Sequence, residues 1–172
     1  MEPRDRPAVG VALLAAILLA AGAAGAFVVT DRWPLAALAT AVAAAAVTVT
    51  GRRAKYTEDR RLTFADAAAE RTGDAAVLAT VAWATIEEPA VSAAALSALV
   101  LGYLATYMRA KATGLGFVVE ESLIARGSRI SLVVLGLAWR DALGPALWAA
   151  SAVSLFSVLR EAVEVGRQRE PA

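Results

Sequence analysis

Neither cysteine nor histidine occurs in the 172 residues of this chain. Without cysteine there are no disulfides, thiolate metal sites or cysteine nucleophiles; without histidine the usual neutral-pH base and metal ligand is gone. Any chemistry therefore runs on carboxylates. Aromatic residues make up 6%, and 17 basic residues against 16 acidic ones leave a net charge of +1. That balance gives no excess of one sign to draw a nucleic acid.

Apolar residues are abundant instead. The chain is 59% hydrophobic with a mean hydropathy of +0.59, and its apolar content falls in long blocks rather than at amphipathic spacing. A hydrocarbon core about 30 Å thick takes roughly 20 helical residues to cross. Six blocks of about that length follow one another with short joints, at about 8–30, 34–51, 64–86, 89–108, 122–139 and 142–160. The expected fold is all-α: a polytopic membrane protein of six transmembrane helices forming a single domain over 1–172. The first block, with Arg4 and Arg6 before it, is too long for a secretory signal and is read as a span. Dense alanine, as in Ala41–Ala46, lets helices approach closely in lipid.

Charge distribution orients this bundle. With six spans, both termini share a side with the joints at 51–63 and 109–121. That side carries every basic residue except Arg32 and Arg140. The positive-inside rule therefore puts the termini and the two long joints in the cytoplasm. Trp33 and Trp139 beside the two outer arginines, and Trp83 near the outer end of its helix, are placed as interfacial anchors. Glu87 and Glu88 form an outer turn closed by Pro89.

Asp66, Glu70 and Asp74 recur at i, i+4 and i+8, on one face of the third block where it enters the membrane. Carboxylates there are costly unless they hold a cation, pair with bases or line a wet cavity. They suit a hard divalent cation such as magnesium, which takes oxygen ligands and usually brings a substrate phosphate. Pairing with Arg60, Arg61 and Arg71 is the structural alternative; it covers Asp66 easily and Asp74, two turns further in, poorly. Arg126 and Arg129, three residues apart at the start of the fifth block, either snorkel to lipid headgroups or fork a phosphate. Arg109 and Lys111 add charge on the same side, as a second part of that pocket or as positive-inside anchors. Carboxylates, a cation and phosphate-binding arginines at one membrane face suit phosphoryl transfer on a lipid-linked substrate.

Three stretches carry a family resemblance: Asp66-Ala-Ala-Ala-Glu-Arg-Thr-Gly-Asp-Ala-Ala76, Tyr107-Met-Arg-Ala-Lys-Ala-Thr-Gly-Leu-Gly116 and Leu123-Ile-Ala-Arg-Gly-Ser-Arg129. They resemble the CDP-alcohol phosphotransferases, nearest to the branch that makes phosphatidylinositol phosphate or its archaeal-lipid counterpart. The second stretch is the most specific match. The family signature reads D-x-x-D-G-x-x-A-R and then, eight residues on, G-x-x-x-D-x-x-x-D. Anchoring its last acidic pair on Asp66 and Glu70 puts the signature arginine on Arg53, and the first two aspartates on Ala45 and Thr48.

The resemblance implies a six-helix enzyme that displaces CMP from a CDP-linked lipid with an alcohol hydroxyl. Carried over by position, Asp66 and Asp74 are metal ligands, Glu70 is the base, and Arg53, Arg109, Lys111, Arg126 and Arg129 bind nucleotide or phosphate. Magnesium, or manganese, is the implied cofactor, yet three carboxylates are short of charge for two divalent ions. Glu58 and Asp59 in the first joint are the nearest further acids. Two readings follow for a protein of the cell membrane with its site on the cytoplasmic face. One is an enzyme passing a phosphatidyl-type group from a CDP-lipid to inositol phosphate or glycerol phosphate. The other is a catalytically impaired relative that binds lipid or partners an active paralogue. Homodimers or heterodimers fit either. A transporter lacks support, because outside the carboxylate stripe no span has a central charge or a proline break.

Overall fold

The computed structural model describes residues 6–57, 60–119 and 123–168, and within them all side chains except those of 6–14, 51–57, 60–63, 65–66 and 123–126. The described residues are all-helical. In chain order the helices are α1 (Arg6–Val29), α2 (Trp33–Thr57), α3 (Arg60–Ala84), α4 (Pro89–Gly114), α5 (Leu123–Ala138) and α6 (Leu143–Arg167), with a 3-10 turn at Arg140–Ala142 before α6.

Every apolar block read from the sequence is a helix, and several run beyond their block. The charged ribbon after Thr50 stays helical to Thr57, and α3 begins at Arg60, because arginine, lysine and alanine are good helix formers. Among the described residues three stretches are long and apolar enough to cross a membrane: Trp33–Thr50, Pro89–Gly114 and Arg140–Arg167. Ala15–Val29 and Gly127–Ala138 are shorter apolar segments.

The helices close into a ring. α1 packs on α2 and α3, α3 on α4, α4 on α6, α6 on α5, and α5 on α2, with α2 also touching α3 across the middle. All six contribute to one core, through Ala24 and Val28, Ala36, Val77 and Val81, Ala94 and Ala98, Leu137, and Leu147 and Ala150. Alanine at so many fully covered positions brings the axes close, which is how helices gain contact when lipid offers no hydrophobic drive between them. Hydroxyls stitch the same surfaces: Ser92 Oγ donates to Ala82 O at 3.0 Å, and Ser151 Oγ to Ala94 O at 3.3 Å.

One end of the ring is held by a charge clamp. Arg140 pairs with Glu88 and lies 4.8 Å over the ring of Trp33, whose Nε1 donates to Asp31. The three turns α1–α2, α3–α4 and α5–α6 are thereby joined. Trp33 is 8% exposed and serves this clamp, unlike Trp83 and Trp139, which are exposed as lipid-facing anchors would be. Pro89 opens α4 at a position that tolerates its missing N–H. At the other end α4 stops in a Schellman motif: Gly116 N donates to Thr113 O and Phe117 N to Ala112 O, both at 3.0 Å. Gly116 takes φ 87°, so the final glycine of the 107–116 stretch is a helix stop.

Gly136 is where α5 meets the start of α6. A Cβ there would sit 3.0 Å from Ala146 Cβ and 3.2 Å from the backbone at Leu143. Gly136→Ala is expected to destabilise the bundle by about 1–3 kcal/mol, read as a lower melting temperature of the detergent-solubilised protein. Gly22→Ala, with open space around it, is the control that should change little.

Candidate acid and base site between helices α2 to α5

α3 carries the acidic stripe in helical register, and its inner members face a small cavity lined from α1 to α5. Glu70 and Asp74 of α3 line it, with Thr40, Ala44 and Val47 of α2, Gly102 and Tyr103 of α4, and Arg129 of α5. The volume is about 60 Å³. That holds a few waters and is far below the roughly 300–1,000 Å³ of small-molecule sites, so a nucleotide would lie at its mouth.

Both described carboxylates at the cavity meet a guanidinium. Arg71 spans both acids, with Nη2 3.2 Å from Glu70 Oε1 and Nη1 3.4 Å from Asp74 Oδ2. Arg129 Nη2 reaches the same Asp74 oxygen at 3.7 Å from across the cavity. Asp74, poorly explained by ion pairing in the sequence, thus meets two guanidiniums. Its second partner stands 55 positions on, on another helix, beyond local pattern. The site is fixed from α4: Tyr103 Oη donates to Arg71 O at 3.0 Å, and Gly102 leaves room for Arg129, whose Nη1 lies 3.4 Å from where a Cβ would be.

Of the residues singled out in the sequence, Glu70, Asp74 and Arg129 share the cavity. Asp66 lies one turn before Glu70 on α3, Arg53 on α2 and Arg126 on α5; their side chains, like all of Glu58 and Asp59, lie outside the described residues. Arg109 is engaged elsewhere. Its Nε donates to Glu161 Oε1 of α6 at 3.1 Å and its Nη2 contacts the same oxygen, while Lys111 and Glu161 line a separate groove between α4 and α6. Glu161 is 4% exposed and was not legible as a partner. Its only signal is an acid placed just past an apolar block on the arginine-rich side.

The α2 face departs from the signature register. Ala45 and Thr48, which that register aligns with the first two aspartates, are both exposed; Thr48 Oγ1 donates to Ala44 O of its own helix at 2.9 Å. Ala44 and Val47, one residue earlier, face the cavity instead. In either register α2 offers no carboxylate. Among the described residues no three acids gather in metal-binding geometry, and the two at the cavity are already countered by arginines. A hard divalent ion takes six or more oxygens, several anionic. The described residues do not fit a resident two-metal centre.

Comparison with known proteins agrees with the resemblance. No family model matches the chain. It is 32% identical to the phosphatidylinositol phosphate synthase of Corynebacterium glutamicum over 111 residues, 59% of this chain and 51% of that one, so it spans about half the length of this curated relative. Among solved structures it is similar to Mycobacterium tuberculosis phosphatidylinositol phosphate synthase with CDP-DAG bound, with a TM-score of 0.77 at 19% identity, covering 99% of this chain and 98% of that one. The same enzyme in complex with manganese and citrate superposes with a TM-score of 0.76 at 20% identity, over 96% and 88% of the two chains.

The Arg109–Glu161 pair has a measurable consequence. Removing the arginine strands a buried carboxylate, whereas removing the glutamate leaves a guanidinium that is a quarter exposed and can turn to water. Arg109→Ala is expected to lose about 3 kcal/mol of stability, Glu161→Ala less, and the double variant less than the sum of the two, as measured by denaturation in detergent. The chain shares the fold of Mycobacterium tuberculosis phosphatidylinositol phosphate synthase and, over 111 residues, is similar in sequence to the Corynebacterium glutamicum enzyme of the same name.

Proposed function

We propose that the protein works in phospholipid biosynthesis as a phosphatidyltransferase, moving a phosphatidyl-type group from a CDP-lipid to a phosphorylated alcohol, inositol phosphate or glycerol phosphate. The observation that carries this reading is that Arg129 contacts Asp74 in a cavity that Glu70 also lines. It joins the first and last of the three resembling stretches. In the reaction, the acceptor hydroxyl oxygen bonds to the phosphatidyl phosphorus, the bond from that phosphorus to the CMP oxygen breaks, and CMP leaves. In this reading Glu70 takes the hydroxyl proton, and Arg126 and Arg129 hold the acceptor phosphate by charge-assisted bonds. Magnesium or manganese would neutralise phosphate charge; no step is assigned to it, since the described residues do not build its site.

The same reading takes all six helices as spans of the cell membrane, in a single domain over 1–172, with termini and site on the cytoplasmic face. The support is the bias of basic residues toward that side. Pairing with a second copy or a paralogue belongs to the proposal as well. The alternative, a lipid-binding partner of an active paralogue, rests only on the lack of a carboxylate on the cavity face of α2, where Ala44 and Val47 stand.

CMP release separates the two. Purified protein is incubated with CDP-diacylglycerol or CDP-archaeol and either acceptor, with an active relative alongside. The transferase reading predicts release, abolished in Asp66→Asn and Glu70→Gln. Silence beside a working relative, with specific co-purification of a second membrane protein bearing the full aspartate signature, would establish the partner reading.

A further inference from the structure

We infer that the guanidinium groups of Arg71 and Arg129 take the place of a divalent cation between Glu70 and Asp74, and that the apo protein holds no such ion until carboxylates are supplied at Ala44 and Val47. Charge comes first. Two described carboxylates stand at the cavity and two guanidiniums contact them, so the charges of these four described side chains balance without any metal. A hard divalent ion entering would have to displace groups that already satisfy both acids, and would find no further anionic oxygen on α2.

Geometry points the same way. Arg71 bridges Glu70 and Asp74 from within α3, one nitrogen to each acid, which is the bridging position a shared cation would take. Its Nε is buried with no hydrogen-bond partner, so this guanidinium is held through its two ends. Arg129 enters from α5 over Gly102 and is 13% exposed, too enclosed for a headgroup anchor that simply snorkels. The result is a cross-link from α3 to α5 made of ion pairs. On the opposite wall Thr40, Ala43, Ala44 and Val47 of α2 line the cavity, and Ala44 and Val47 are the cavity-facing pair next to the aligned Ala45 and Thr48, three residues apart on one helix face. They are therefore the places chosen for added carboxylates to complete a ligand set with Glu70 and Asp74. The positions aligned by the signature, Ala45 and Thr48, point away.

The test needs no turnover, so its failure is distinct from failure of the transferase reading. Mn²⁺ is titrated into purified, nucleotide-free protein and bound ion is read by electron paramagnetic resonance. Melting temperature is compared in Mn²⁺ and in EDTA. The wild-type protein is expected to bind no stoichiometric Mn²⁺ and to melt identically in both, and the folded Ala44→Asp/Val47→Asp variant to bind Mn²⁺ and melt higher with it than in EDTA. The single variant Ala44→Asp, at a half-buried position, replaces the double one if that fails to fold, with weaker binding expected. Ala45→Asp/Thr48→Asp should gain nothing. Stoichiometric Mn²⁺ on the wild type, lost in Asp74→Asn, would overturn the inference. Binding gained at 45 and 48 and not at 44 and 47 would overturn the assignment of the ligand positions.

Discussion

Carboxylates inside an apolar helix bundle must be neutralised, and the structure is organised around how Glu70 and Asp74 meet that demand. Ionised groups taken out of water are tolerated when partners and hydrogen bonds compensate them. Here the partners come from the same helix, as Arg71, and from across the cavity, as Arg129. The second contact links α3 to α5. The small residues around it are part of the same solution: Gly102 makes space for the guanidinium, and alanines of α1 and α2 line a cavity that holds only a few waters.

Two further ion pairs apply the same rule at other places. Arg109 and Glu161 join α4 to α6, and Arg140 with Glu88 and Trp33 ties three turns together. In a bundle whose core is largely alanine, contacts are close but each side chain contributes little burial. Directional pairs between helices therefore fix which helix faces which.

The helices were legible because each is an apolar block, and blocks of bilayer length are a strong one-dimensional signal. Their ends were less so. Residues 51–57 read as a charged joint and are helix, since arginine and lysine leave the bilayer without breaking the turn. At the site, Glu70, Asp74 and Arg129 stood out as charges in apolar surroundings. Their mutual pairing did not, because a partner 55 positions away on another helix leaves no periodic trace. The one-residue offset on α2 was likewise invisible: a signature aligned by spacing cannot tell Ala44 from Ala45, whereas the 100° between successive helical residues turns one toward the cavity and the other out.

The central claim is that arginine, and not a metal ion, sits between the two acids. The most direct measurement is an experimental structure of the wild-type protein grown in Mn²⁺, with anomalous difference density calculated at the manganese edge. The account predicts no anomalous peak between Glu70 and Asp74, with the Arg71 and Arg129 guanidiniums in contact with those carboxylates. A peak there, with either arginine turned away, would contradict it.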